Sequence, residues 1–151
     1  MASDPSNLTL RLANNGDAAF LADLRNALAP YFISQGSATE ELTKVLLAES
    51  QTFMVIQGFR LVGAFSFYDV QDGQAEFGRF MVLPEEQGKG IGQWVLEEAI
   101  HRAWGFGIRQ LILTVRKDND MAIGLYAACG FSPIREEEGY VVMRRVLWPA
   151  L

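Results

Sequence analysis

Two hydrophobic periods share this chain, and the points where one replaces the other divide it into elements. Leu8–Leu12 alternates apolar and polar residues as a half-buried strand does, and Asn14-Asn15-Gly16-Asp17 supplies a turn and a candidate helix cap. A helix is predicted over Ala18–Ala29, stopped by Pro30. Thr39-Glu40-Glu41-Leu42 has the composition of a second helix start, continuing to about Glu49. Thr52–Gln57 and Leu61–Asp69 are rich in β-branched and aromatic residues and flank Gly58-Phe59-Arg60, so an antiparallel hairpin is expected. After Gln71-Asp72-Gly73 a third strand is expected over Gln74–Leu83.

From Ile91 the spacing changes. Apolar residues at 91, 95, 99 and 103 predict a helix ending near Gly105, with Gln93, Glu97, Glu98, His101 and Arg102 on its polar face. Gln110–Val115 predicts a strand buried on both faces. A strand–helix–strand connection of this length makes it parallel to the strand ending at Leu83. A short helix over Asn119–Cys129, stopped by Gly130, and two strands at 132–136 and 139–147 complete the pattern. No internal repeat or low-complexity tract interrupts it.

With 151 residues, the chain is expected to form one domain, 1–151, with a full core that needs neither disulfide nor metal. Thirteen basic and eighteen acidic residues give a net charge of −5, which argues against a general nucleic-acid or anionic-membrane surface and leaves room for a local basic pocket. A small-molecule partner is expected, with no nucleic acid and no membrane. Cys129 is the sole cysteine and His101 the sole histidine, so no internal disulfide, thiolate zinc site, histidine cluster or conventional triad with a spare base can form; no metal is expected. The segment MASDPSNLTL lacks the apolar core of a signal peptide, and no apolar run approaches the roughly 20 residues that span a bilayer. A soluble, cytoplasmic protein is expected.

Gly88, Gly90 and Gly92 stand two apart where strand gives way to helix. Glycine costs about 1 kcal/mol against alanine inside a helix, so the cluster calls for a reason: a turn, or an anion brought close to the unpaired amides of the helix start. A Walker loop fails, because Leu83 falls where its first glycine belongs and Gly90 where a hydroxyl should follow Lys89. A dinucleotide fingerprint fails as well, because residue 93 is glutamine and the segment follows a meander.

Gln87-Gly88-Lys89-Gly90-Ile91-Gly92 matches Gln/Arg-x-x-Gly-x-Gly/Ala, the pyrophosphate-binding signature of the GNAT N-acetyltransferase superfamily. About 25 residues downstream, Asn119, Ala122, Leu125-Tyr126 and Gly130-Phe131 follow in that family's usual order, and the chain resembles the family over nearly its whole length. The resemblance implies an α/β (α+β) fold with a mixed, mostly antiparallel sheet of about six or seven strands, about four flanking helices and a splayed parallel pair. It also implies acetyl-coenzyme A as cosubstrate. The backbone of Phe80, Met81 and Val82 is then expected to pair with the pantetheine arm, and that of Gln87, Gly88, Lys89, Gly90, Ile91, Gly92 and Gln93 to surround the pyrophosphate. For Lys89 the alternative is a solvated loop lysine.

The implied chemistry is acetyl transfer to a primary amine. Glu76 matches the position where some members keep a glutamate base; the alternatives are a water chain or a solvent-facing strand residue. Tyr126 matches a tyrosine that many members aim at the coenzyme sulfur, against the alternative of packing on the sheet. Asn119 is expected to contact the coenzyme, cap the following helix, or both, and the amide of Val82 to meet the oxyanion. Cys129 reads as a packed small residue and His101 as a surface residue; Trp94 and Trp104 fit core packing. Arg11, Arg79, Arg116 and Lys117 read as solvated charges, with Arg116 or Lys117 within reach of a coenzyme phosphate.

Acceptor choice is assigned to Asn26–Ser37 and Val70–Gln74, where Leu28–Ile33 either line a pocket or close the core. A small amine is expected: an aminosugar, an amino acid or a polyamine. The other readings are a protein N-terminal or lysine acetyltransferase and a non-catalytic acyl-coenzyme A-binding regulatory module. A homodimer through the last strands is the expected form of any self-association.

Overall fold

The computed structural model describes residues 7–32 and 36–147. Its seven strands are β1 (Leu8–Leu12), β2 (Gln51–Gln57), β3 (Arg60–Gln71), β4 (Gln74–Val82), β5 (Gln110–Arg116), β6 (Ser132–Glu137) and β7 (Tyr140–Val146). They form one sheet in the order β1-β2-β3-β4-β5-β7-β6, and only β4 and β5 are parallel neighbours. The helices are α1 (Ala18–Ala27), α2 (Glu40–Ala48), α3 (Ile91–Gly105) and α4 (Asp120–Ala128). This is the mixed α/β architecture expected from the sequence. No helix among the described residues is long and apolar enough to cross a membrane.

The sheet divides the interior in two. On one face Phe53, Phe65, Phe67 and Phe77 stack with one another and with residues of α3, around fully buried Val95, Leu96 and Ala99. On the other, Met54, Ala64 and Met81 meet Leu21 and Leu24 of α1 and Leu28 just after it in a smaller core. Alternation along each strand makes the partition: Phe53 and Met54 are consecutive and serve opposite faces.

Local signals explain most boundaries. Thr39 accepts a hydrogen bond from the amide of Leu42 at 3.1 Å and starts α2. Asn14 and Asp17 form a reciprocal capping box ahead of α1, and Asp17 also receives both guanidinium nitrogens of Arg11 at 2.8 Å. Arg11 is therefore an ion-pair partner rather than a purely solvated charge.

Two expectations need correction. α1 ends at Ala27, and Pro30 does not simply stop it: the proline lies inside a 3-10 turn, Ala29–Tyr31, whose early positions require no amide donor. β5 is not buried on both faces, because Ile112 is half-buried and Thr114 exposed while Leu111, Leu113 and Val115 are buried. Its inward residues pack in the larger core, and the smaller core draws nothing from this strand. Of the expected acceptor segment Asn26–Ser37, residues 33–35 lie outside the described residues.

Candidate active site

β4 and β5 pair only at Gln74↔Gln110, Ala75↔Leu111 and Glu76↔Ile112, after which they separate. The separation coincides with a bulge in β4, between the pairs Ser66↔Gly78 and Ala64↔Met81. At the bulge Arg79 adopts φ 50, a conformation that L residues enter at a cost, and the strand bends there. Beyond it the amide of Leu83 donates to the carbonyl of Val62 in the β3 direction, at 2.8 Å. Amides alternate along a strand, so that of Val82 faces the side from which β5 has withdrawn. The carbonyl of Val82 accepts from Nε2 of Gln87 at 3.1 Å. Gln87 thus clasps the loop to the strand end with its side chain, a role the motif alone does not reveal.

The glycines of the loop do two different jobs. Gly88 and Gly90 have φ of 79 and 85, and a Cβ at either would meet nothing within 4 Å, so they serve backbone conformation and leave the space beside them open. At Gly92 a Cβ would lie 3.3 Å from Leu125 Cδ2 and 3.7 Å from Phe80 Cζ, so this glycine lets α3 close on α4 and β4. α3 begins without a side-chain cap, which leaves its first amides, at Ile91, Gly92 and Gln93, directed outward with no partner inside the helix. Open glycines, uncapped amides and helix dipole together suit a diphosphate; the dipole adds about 0.3–1 kcal/mol and the direct bonds more.

Lys89 braces this loop. Its Nζ lies 3.2 Å from Glu86 Oε2, and Arg60 Nη1 lies 2.7 Å from Oε1 of the same carboxylate. The hydrogen bond from Lys89, and then that from Arg60, hold Glu86 below the usual carboxylate range. The Lys89 side chain is therefore an ion-pair partner of Glu86 rather than a purely solvated lysine.

The two candidate catalytic side chains lie on opposite faces of the sheet. Ala75 and Phe77 lie in the larger core, so Glu76 between them projects to the opposite face, at the last pair before β5 departs. Tyr68 is its cross-strand neighbour, and burial first, then the charge of Glu76, push the Tyr68 phenol up to about 12. Tyr126 approaches from α4 on the other face, edge-on to Phe77 at 6.4 Å and to Phe131 at 6.0 Å. Burial pushes its hydroxyl well above the ordinary tyrosine value, so it stays protonated. The sheet thus separates Glu76 from Tyr126, and the gap between β4 and β5 opens just beyond Glu76.

The remaining candidates fall into place around this gap. Asn119 caps α4, its Oδ1 accepting from the amide of Ala122 at 3.3 Å. Arg116 is held by Asp118, at 3.0 and 2.9 Å, and by the carbonyl of Pro30, and Lys117 pairs with Glu136. Both expected phosphate cations thus have carboxylate partners. Cys129 is half-buried, and burial foremost raises its thiol pKa, which disfavours a nucleophilic thiolate. His101 is exposed, and Trp94 and Trp104 pack against the larger core. No group of three potential metal ligands occurs among the described residues.

Beside β4, on the α1 and α2 face, lies a cavity of about 240 Å³. Leu42, Leu46 and Met81 supply apolar wall, Thr52 and Ser66 hydroxyls, and Arg25 and Arg79 the charge. Phe32, Gly36 and Ser37 come from the segment expected to choose the acceptor, whereas no residue of 70–74 lines it. The sequence reading missed Arg79, which the bulge turns from a solvated strand residue into a cavity wall. It also missed Asn26, whose amide group bonds Ala38 in both directions, at 2.9 and 2.7 Å, and closes the loop between α1 and α2.

A sheet split between its parallel strands, next to an uncapped glycine-rich helix start, defines an acyl-coenzyme A N-acyltransferase. The profile of the Acetyltransferase (GNAT) family matches residues 20–131, and the chain belongs to that family. It is 28% identical over 149 residues to spermidine N(1)-acetyltransferase of Vibrio cholerae, covering 91% of this chain and 83% of that one. The crystal structure of spermidine N-acetyltransferase from Vibrio cholerae in complex with CoA and spermine has the same fold: TM-score 0.82, 23% identity, 93% and 96% coverage. So does yncA from Salmonella typhimurium with its cofactor acetyl-CoA: TM-score 0.81, 18% identity, 96% coverage of each chain.

Proposed function

We propose that this chain acetylates the primary amine of a small molecule by direct transfer, with Glu76 as base and Tyr126 as acid. The observation that carries the reading is the placement of these two side chains on opposite faces of the sheet, where β4 and β5 part. Acetyl-coenzyme A supplies an acetyl thioester. The chain's own groups handle protons and charge. An amine with a pKa near 10.4 needs about 4–5 kcal/mol to become neutral at pH 7, and Glu76 takes that proton directly or through water. The amide of Val82 donates to the oxygen that gains charge. As the N–C bond forms and the C–S bond breaks, Tyr126 gives its proton to the sulfur or holds it by hydrogen bond. The amides of residues 87–93 seat the diphosphate, and the edges of Phe80 and Val82 facing the gap seat the arm.

A cavity of about 240 Å³ suits a small acceptor better than a protein segment, and the polyamine named in the Vibrio cholerae relative supports a small amine. The lone thiol of Cys129 accords with a reducing, cytoplasmic setting. β6, exposed along nearly its whole length at the sheet edge, is the surface we assign to any self-association. Release of free thiol from acetyl-coenzyme A, measured with a panel of amines, tests the function. Acceptor-dependent release is expected; tight coenzyme binding without release on any amine would leave a regulatory module instead.

A further inference from the structure

The cavity beside β4 carries charge of one sign. Arg25 and Arg79 are the only charged residues among its described lining, which is otherwise apolar or hydroxyl-bearing. Nη1 of Arg79 is shut off from solvent and has no hydrogen-bond partner among the described residues. Its guanidinium carbon lies 4.7 Å from the centre of the Tyr68 ring, a contact that holds the group while satisfying none of its N–H donors. Across the cavity the Arg25 guanidinium sits 4.1 Å from the ring centre of Phe32. A donor buried without an acceptor is costly, and here the cost coincides with the positive φ of Arg79.

We infer that the acceptor carries a carboxylate as well as its amine, and that Arg79 is the residue that binds it; this rests on the acetyl-transfer reading above. The guanidinium fork matches a carboxylate with two parallel hydrogen bonds, and a carboxylate in the cavity that Arg79 lines brings that group its counter-charge. A polyamine is a row of ammonium groups and would meet the Arg79 cation with no acidic residue in the described lining. Charge is ordered along β4 in the sense an aminocarboxylate needs. Arg79 lies over the Tyr68 ring, Tyr68 pairs across the strands with Glu76, and Glu76 stands where the strands part, so an acid binds at one end and an amine is deprotonated at the other. A cavity of about 240 Å³ suits a small aminocarboxylate with its apolar part along Leu42, Leu46 and Met81.

The test compares thiol release for matched amines with and without a carboxylate, leucine against isopentylamine, with spermidine and phosphoethanolamine alongside. The full-length protein should favour leucine over isopentylamine in kcat/KM, and Arg79→Gln should shrink that ratio about 10- to 100-fold, through KM, the loss expected for a charge-assisted pair. Arg79→Lys, which keeps the charge without the fork, should recover part of it. Equal or better use of spermidine, isopentylamine or phosphoethanolamine by the parent protein would overturn the inference, as would an unchanged ratio in Arg79→Gln. A second arm is independent of transfer: calorimetry with 2-hydroxyisocaproate, which has the carboxylate and no reactive amine. Binding to the parent and not to Arg79→Gln, even where no amine releases thiol, would keep the carboxylate site and discard the catalytic reading. No binding by the parent would discard the site. Should Arg79→Gln fail to fold, the parent's leucine preference and its calorimetry decide alone.

Discussion

Tyr68 fills the space that a side chain at residue 78 would need: a Cβ on Gly78 would stand 2.5 Å from the tyrosine oxygen and 2.7 Å from Cε1. Because Tyr68 also touches Arg79 and Glu76, the bare backbone at 78 holds both ends of the acceptor face in place. Gly78→Ala is therefore expected to destabilise the fold by about 1–3 kcal/mol through overpacking, and to lower kcat/KM by displacing Tyr68. Thermal unfolding together with steady-state kinetics checks this; an unaltered melting point and unaltered kinetics would show that Tyr68 can move aside freely.

Glu76→Gln removes the proton acceptor while preserving shape. A fall in kcat/KM of about 10²–10⁴ at pH 7 is expected. The deficit should narrow toward pH 10, where an amine of ordinary pKa is largely neutral without help. A rate profile over that range decides, since an equal deficit at every pH would point to a structural role.

Tyr126→Phe keeps the ring that packs on Phe77 and Phe131 and removes only the hydroxyl. Turnover is expected to drop by about 10²-fold or more with acetyl-coenzyme A affinity nearly unchanged. Burial raises the pKa of this phenol, so no loss of activity from its ionisation is expected near neutral pH. Parent-like turnover in the variant would return Tyr126 to packing alone.

Gly90→Asp brings both a carboxylate and a side chain to a position with φ 85, ahead of uncapped amides. Coenzyme affinity should fall by at least about 100-fold, a differential of roughly 3 kcal/mol. Gly90→Ala supplies the backbone strain without the charge and should fall between. Titration calorimetry on both variants separates conformation from repulsion.

Asp17 connects stability to acid. Hydrogen bonds from Arg11, chiefly, hold its carboxyl below the ordinary value of 3.8, against the opposing effect of burial. A carboxylate depressed in the folded state stabilises it above the unfolded pKa, and that contribution disappears as pH falls through the lowered folded value. Below about pH 4 the parent should lose stability progressively. Asp17→Asn should be less stable at pH 7, by about 1–3 kcal/mol, and less sensitive between pH 4 and 2. Urea unfolding at both ends of that range tests the sign.

Much of this fold is legible in the sequence because its signals are local. Thr39 caps the helix it announces, Ile91 opens the long helix, and the turns at Gly58 and Gly73 lie between the expected strands. The glycine loop ahead of α3 is legible for the same reason, since backbone freedom at Gly88 and Gly90 is written as residue type. What escapes notice depends on partners distant in the chain. Arg79 becomes a cavity wall only through a bulge set by its pairing with β3, and Asn26 becomes a clamp only when Ala38 folds back onto it. Lys89 is committed by Glu86 and Arg60, and Arg60 lies 26 positions before that glutamate. Net charge gives no guide to the cavity: −5 over the chain coexists with a chamber whose described charges are both positive.

Three residue pairs are all that join β4 to β5, so the sheet consists of a four-stranded leaf and a three-stranded leaf meeting at a short hinge. On the proposed reading, a ligand arm lying in that gap would complete the ladder as an extra strand and make occupancy a continuation of folding. The melting temperature should then climb with the length of arm supplied, and a bare nucleotide fragment that reaches only the glycine loop should leave the hinge as soft as before.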